Sequence, residues 1–230
     1  MTATTGRRGG ADATPPRGPS TLSVSLAGTG RLIRLALRRD RIVLTVWLVA
    51  LLGLLVASVA SIVALYGTEE ARTQYAVVAA TNVVARAFDG PMAGTSLGAI
   101  VMTEVFGFLA LLTGIMSVQA VVRHTRLEEE TGRAELVGAA VVGRDARLVA
   151  ALVVVGADLL LGVLTAVTLV AAGLPLQGSV LAGTALALVG VSFAAVAAVA
   201  VQVAGTARGA NAIGISAVGL AFLLRAVGDA

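Results

Sequence analysis

Lysine and cysteine are both missing from this 230-residue chain, and each absence removes a class of chemistry. Without cysteine there is no disulfide framework and no thiolate metal site, and the single histidine, His124, offers no cluster of imidazole ligands. Redox chemistry, a metal site and a bound cofactor are therefore not expected. All 17 basic residues are arginine. A P-loop needs a lysine to reach the nucleotide phosphates, and Schiff-base catalysis needs a lysine amine, so neither is available here. Charge itself is scarce, at 13% of residues against about a quarter in soluble domains.

Apolar residues take the place of charge. They make up 57% of the chain and give a mean hydropathy of +0.94. They come in long runs, and about 20 apolar residues in helical form cross roughly 30 Å of hydrocarbon. The fold class expected is all-α, a polytopic bundle of about five transmembrane helices. The spans fall at about 42–66, 97–122, 148–173, 180–204 and 212–224. Trp47 and Tyr66 sit towards the two ends of the first, where aromatics favour the membrane interfaces. Leu174-Pro175-Leu176-Gln177-Gly178 makes a tight uncharged turn between the third and fourth.

Residues 1–27 are polar, small and proline-containing, with Pro15, Pro16 and Pro19, and read as a disordered cytoplasmic tail ahead of a membrane domain at 28–230. No apolar core follows Arg7 and Arg8 closely enough for a signal peptide. Arg31, Arg34, Arg38 and Arg41 recur at spacings of three and four, so residues 30–41 form an amphipathic interfacial helix with its arginines among anionic headgroups, or a charged flank of the first span. With this topology 14 of the 17 arginines lie on the side of the amino terminus, leaving Arg72, Arg86 and Arg225 on the other. Arginine-rich loops stay inside, so the amino terminus is expected in the cytoplasm of a cell-membrane protein and the carboxyl terminus outside. The same distribution explains the basic pI near 10.9 without any nucleic-acid partner.

Glu104 and Asp158 are the acids inside the spans. A charge at mid-membrane costs about 2.5 to 3.5 kcal/mol on insertion scales, so each should face protein or water. They fit a substrate or proton pathway, and they equally fit a polar bond to a neighbouring helix. Gly190, Ala194 and Ala198 form a small-residue stripe for close helix packing. Intramembrane hydrolysis needs paired acids, a serine with its base, or metal ligands, and none of these is arranged here, so no catalytic residue is expected.

The segment from Arg123 to Leu136 is densely charged with both signs and carries an i,i+4 pair, Glu129 with Arg133. It reads as a cytoplasmic helix that a soluble partner could grip, or as a solvated loop. The run RHTRLEEETGRAELVGAAVVGR, preceded by SVQAVV, resembles the first cytoplasmic loop of actinobacterial ABC transporter permeases of the polyketide-antibiotic, tetronasin-type exporter family. The opening RLIRLALRRDRIVLTVW and the closing AFLLRAVGDA resemble the same family. The resemblance implies a type-2 ABC exporter permease whose loop 123–147 carries the coupling helix. Arg126, Glu128, Glu129, Glu130, Thr131, Gly132, Arg133 and Glu135 would then contact a separate ATPase subunit. Members usually contain two such halves, so the chain is expected to correspond to an amino-terminal half that meets a second half or a homodimer mate. The expected cargo is a hydrophobic small molecule, in antibiotic export or multidrug efflux. A proton-driven secondary transporter using Asp158 or Glu104 remains an alternative, as does an inactive membrane fragment or scaffold.

Overall fold

The computed structural model describes residues 29–125 and 143–230, and among them the chain is entirely helical, with seven helices and no strand. The helices are α1 (Thr29–Leu65), α2 (Glu69–Thr81), α3 (Val83–Asp89), α4 (Leu97–His124), α5 (Gly143–Ala171), α6 (Leu176–Val203) and α7 (Ala207–Asp229). Five stretches are long and apolar enough to cross a membrane: Arg41–Leu65, Leu97–His124, Ala151–Ala171, Leu176–Val203 and Ala207–Asp229. The protein is thus a polytopic helical membrane protein. In hydrocarbon a helix satisfies its own backbone groups, which a single strand or loop cannot do.

Residues 30–41 and the first span form one uninterrupted helix, because no glycine or proline falls between Arg31 and Gly53 to break it. The short helices that follow are set by capping. Thr68 accepts from Ala71 N at 3.2 Å to start α2, and Asn82 Oδ1 accepts from Val84 N and Ala85 N at 3.0 and 3.1 Å to end α2 and restart the chain as α3. Ser96 caps α4 in the same way, and Thr206 caps α7. The cap at Thr206 draws Arg208 into the first turn of α7, which is therefore longer at both ends than the expected 212–224. At the end of α5, Gly173 has φ +86°. Its N–H bonds to Val170 O at 2.9 Å and the Leu174 N–H to Leu169 O at 3.1 Å, the Schellman pattern that a positive φ makes possible. Pro175 then blocks continuation and α6 starts at Leu176.

α4 lies at the centre, touching each of the other six helices. Of its most apolar stretch 56% is buried, against 22% for α1 and 17% for α7, so these two present most of their surface outward. The buried residues of α1, Leu51, Leu55, Val59 and Ile62, follow helical spacing and meet Ile100, Val101, Val105 and Leu109 of α4. A second cluster joins Val118, Val121 and Val122 of α4 to Ala194, Ala197 and Val201 of α6 and to Ala210 and Val218 of α7. The outward faces are apolar as well, with Val46, Val49, Val163, Val167 and Leu188 more than half exposed, as lipid requires.

Of the expected stripe on α6, Gly190 and Ala194 are buried but Ala198 is exposed, and Ala197 is buried in its place. At 100° per residue a strict spacing of four drifts off the contact, reaching about 80° by the second step, while alternating four and three stays on it. α5 and α6 approach most closely where Gly162 faces Gly183. A Cβ on Gly162 would sit 2.5 Å from the Gly183 carbonyl oxygen, and one on Gly183 would collide with the carbonyl oxygen of Gly162.

The proposed tail, 1–27, lies outside the described residues, and so do Arg126, Glu128, Glu129, Glu130, Thr131, Gly132, Arg133 and Glu135. The described parts of the expected loop are its ends: Arg123 and His124 close α4, and residues 143–147 open α5.

Candidate functional site

Two polar centres interrupt the apolar interior, and both stand on α4. The deeper one is built on Asp158 of α5, which is 0% exposed. The Ser117 hydroxyl of α4 donates to its Oδ1 at 2.8 Å and also lies 2.9 Å from the Thr113 carbonyl one turn back. On the other side the carboxyl fills the space left by Gly190 of α6, where a Cβ would collide with it. Three helices therefore converge on one acid. Among the described residues neither Asp158 Oδ2 nor Thr113 Oγ1 has a hydrogen-bond partner.

The second centre lies towards the end of the bundle that carries α2 and α3. Glu104, in the second turn of α4, is half-buried beside an open cavity of about 350 Å³. Ala57, Ser58, Ser61, Ile62 and Leu65 of α1 line the other wall. The Tyr75 phenol of α2 stands near the Glu104 carboxylate, and its ring packs against Tyr66 with centroids 4.7 Å apart and planes at 46°. Burial, and then the nearby Glu104 carboxylate, push the Tyr75 phenol well above the usual tyrosine range. Tyr66 is raised for the same two reasons, burial first and Glu104 second. Arg72 is engaged nearby on the end of α1, where its Nη1 donates to the carbonyls of Tyr66 and Gly67 at 3.3 and 3.1 Å.

The two acids do not meet. Glu104 and Ser117 are 13 residues apart on one helix, which at 1.5 Å per residue is about 20 Å. That separation leaves no acid pair for hydrolysis, and among the described residues no three His, Cys, Asp or Glu side chains gather to hold a metal. Five apolar helices around isolated acids suit passage or binding of a molecule better than bond cleavage.

The chain is similar to a known efflux permease. Over 146 residues, 63% of its length, it is 41% identical to the multidrug efflux system permease protein Rv1217c of Mycobacterium tuberculosis. The match covers 26% of that protein, so the chain spans about a quarter of the relative's length. No family model matches the chain.

Several residues of these centres escaped the sequence reading. Thr113 and Ser117 are spaced i,i+4 and Ser58 and Ser61 i,i+3 within apolar spans, a weak signal that polar faces exist there. Nothing in the sequence joined Tyr75 to Glu104. Arg225 gave no signal beyond its place in the charge count, yet its Nη2 donates to Phe88 O across 137 residues at 3.0 Å. It also pairs with Asp229 at 2.9 Å and lies 5.5 Å over the Phe222 ring. This side chain fastens α3 to α7. Burial raises the neighbouring Asp89 carboxyl, and Arg225 partly offsets that rise.

Proposed function

We propose that the chain is a permease subunit, or the amino-terminal half of a permease, of an ABC exporter that moves hydrophobic compounds such as polyketide antibiotics out of the cell. The observation that carries this reading is the 41% identity to a multidrug efflux permease, joined to a bundle with five membrane-crossing helices. A separate ATPase subunit supplies the energy, since the chain has no lysine with which to build a P-loop. The amino terminus is cytoplasmic in this reading. The segment between α4 and α5 then faces the ATPase, and Arg126, Glu128, Glu129, Glu130, Thr131, Gly132, Arg133 and Glu135 make the contact. The Gly162–Gly183 approach holds α5 against α6, so a push on the start of α5 moves the pair together.

Affinity purification of the tagged chain from its native host in mild detergent tests the proposal. An ATPase should accompany the wild-type chain and be lost when Glu128, Glu129 and Glu130 are replaced by glutamine. Recovery without an ATPase, or with one indifferent to those changes, overturns it.

One observation favours a second reading. Asp158 is fully buried with one oxygen unpartnered, as a proton carrier in a secondary transporter would be. That reading requires Asp158→Asn to abolish transport, and transport to survive ATP depletion while collapsing with the proton gradient. The exporter reading requires the reverse dependence on ATP.

A further inference from the structure

The cavity between α1 and α4 combines features that the fold does not need. Its volume, about 350 Å³, falls within the range of small-molecule pockets, roughly 300 to 1,000 Å³. Ile62 and Leu65 make its wall apolar, Ser58 and Ser61 add hydroxyls, and Glu104 brings a carboxylate. A carboxylate can accept about four hydrogen bonds, and the Tyr75 phenol stands near enough to feel its charge. Among the described residues no arginine forms an ion pair with Glu104, and the nearby Arg72 is directed at the carbonyls ending α1.

A single carboxylate on an apolar-walled cavity, with two half-buried tyrosines nearby, selects a particular kind of cation. A hard metal ion needs six or more oxygen ligands, and one acid with two serine hydroxyls does not provide them. A weakly hydrated organic cation needs less: one counter-charge, aromatic surface and an apolar wall for its body. We infer that the Glu104 cavity is a binding site for amphipathic organic cations, with the charged head at Glu104 beside Tyr75 and Tyr66 and the apolar body along Ile62 and Leu65. The cavity's opening leaves room for a body longer than the pocket. If the chain is an exporter permease, this narrows its hydrophobic cargo to compounds that carry positive charge; that consequence rests on the proposed function, and the binding itself does not.

The test is equilibrium binding of radiolabelled tetraphenylphosphonium to the full chain in lipid nanodiscs, with uncharged tetraphenylsilane as comparator and neither ATPase nor nucleotide present. Glu104→Gln should weaken tetraphenylphosphonium at least tenfold, about 1.4 kcal/mol, and leave tetraphenylsilane within about threefold of wild type, well under that same free-energy change. Tyr75→Phe keeps the ring and should retain most of the cation's affinity, whereas Tyr75→Ala should lose it. Equal tetraphenylphosphonium affinity in wild type and Glu104→Gln overturns the site, and so does an equal loss for the uncharged probe. Should Glu104→Gln not fold, Ser61→Phe decides, because its ring enters the cavity from an exposed position of α1. It should abolish cation binding, and unchanged affinity rejects the inference. Failure here leaves the ATPase co-purification result untouched, so the site and the exporter reading fall separately.

Discussion

Replacing Gly183 by alanine places one methyl group where the structure has no room. The new Cβ collides with the Gly162 carbonyl oxygen and comes within 3.0 Å of the Ala166 Cβ. Both obstacles belong to α5, and the first is backbone, which no rotamer change can move aside. Relaxing such a contact to ordinary separation requires α5 and α6 to part by roughly 1 Å, since non-bonded carbon atoms sit at about 3.5 to 4.0 Å. Overpacking of this kind costs about 1 to 3 kcal/mol, while alanine's better helix propensity returns up to about 1 kcal/mol. With the full gain returned, the net loss against wild type is about 0 to 2 kcal/mol, and against a variant with the gain alone about 1 to 3 kcal/mol. Gly156→Ala is the matched control: it lies on α5 with nothing within 4 Å of its Cβ position, so only the propensity gain applies. Unfolding of both variants by sodium dodecyl sulfate in mixed micelles, followed by far-ultraviolet circular dichroism, measures the difference. A Gly183→Ala chain as resistant as Gly156→Ala refutes the close crossing of α5 and α6.

Ser117→Ala removes the hydroxyl that holds Asp158 and should lower stability by about 0.6 kcal/mol, the mean of measured interhelical hydrogen bonds in membranes; the same detergent titration reads it. The chain has two tyrosines, and both phenols are raised. At pH 10, where an ordinary tyrosine is half ionised, absorbance at 295 nm should therefore show much less than half tyrosinate, and Glu104→Gln should bring the Tyr75 transition down. Because the raised phenol favours the folded state while protonated, this contribution is complete below the usual tyrosine range and is lost as pH rises through the raised value. Arg225→Ala breaks the bond to Phe88 O, so amide exchange across α3 should quicken about 3- to 10-fold, as expected for one hydrogen bond of about 0.5 to 1.5 kcal/mol. The same change removes the charge that offsets burial at Asp89. Carbon-13 titration should then place the Asp89 carboxyl higher still, and its contribution to stability should be present at low pH and lost as pH rises through that value.

Composition and run length were enough to establish an all-helical, polytopic membrane protein. A membrane leaves the backbone little choice: an apolar run of about 20 residues becomes a helix whatever its neighbours do. The caps at Ser96, Asn82 and Thr206 are contacts between residues two or three apart, yet the sequence reading did not single them out and began the last span at 212 instead of 207. The presence of acids within spans was visible at Glu104 and Asp158, since the cost of charge in hydrocarbon depends on position along the helix alone. What surrounds each acid was not. Ser117 reaches Asp158 across 41 residues, and Gly190 makes room for it from a third helix. Which face of an apolar helix meets which partner is weakly encoded where lipid and protein interior are equally apolar. Only the assembled bundle decides that Ala197 rather than Ala198 is buried, that Tyr75 stands near Glu104, and that Arg225 holds α3. The periodicity of one helix cannot carry that information, because it depends on the rotation of each helix about its axis, which packing between backbones brought close by glycine finally sets.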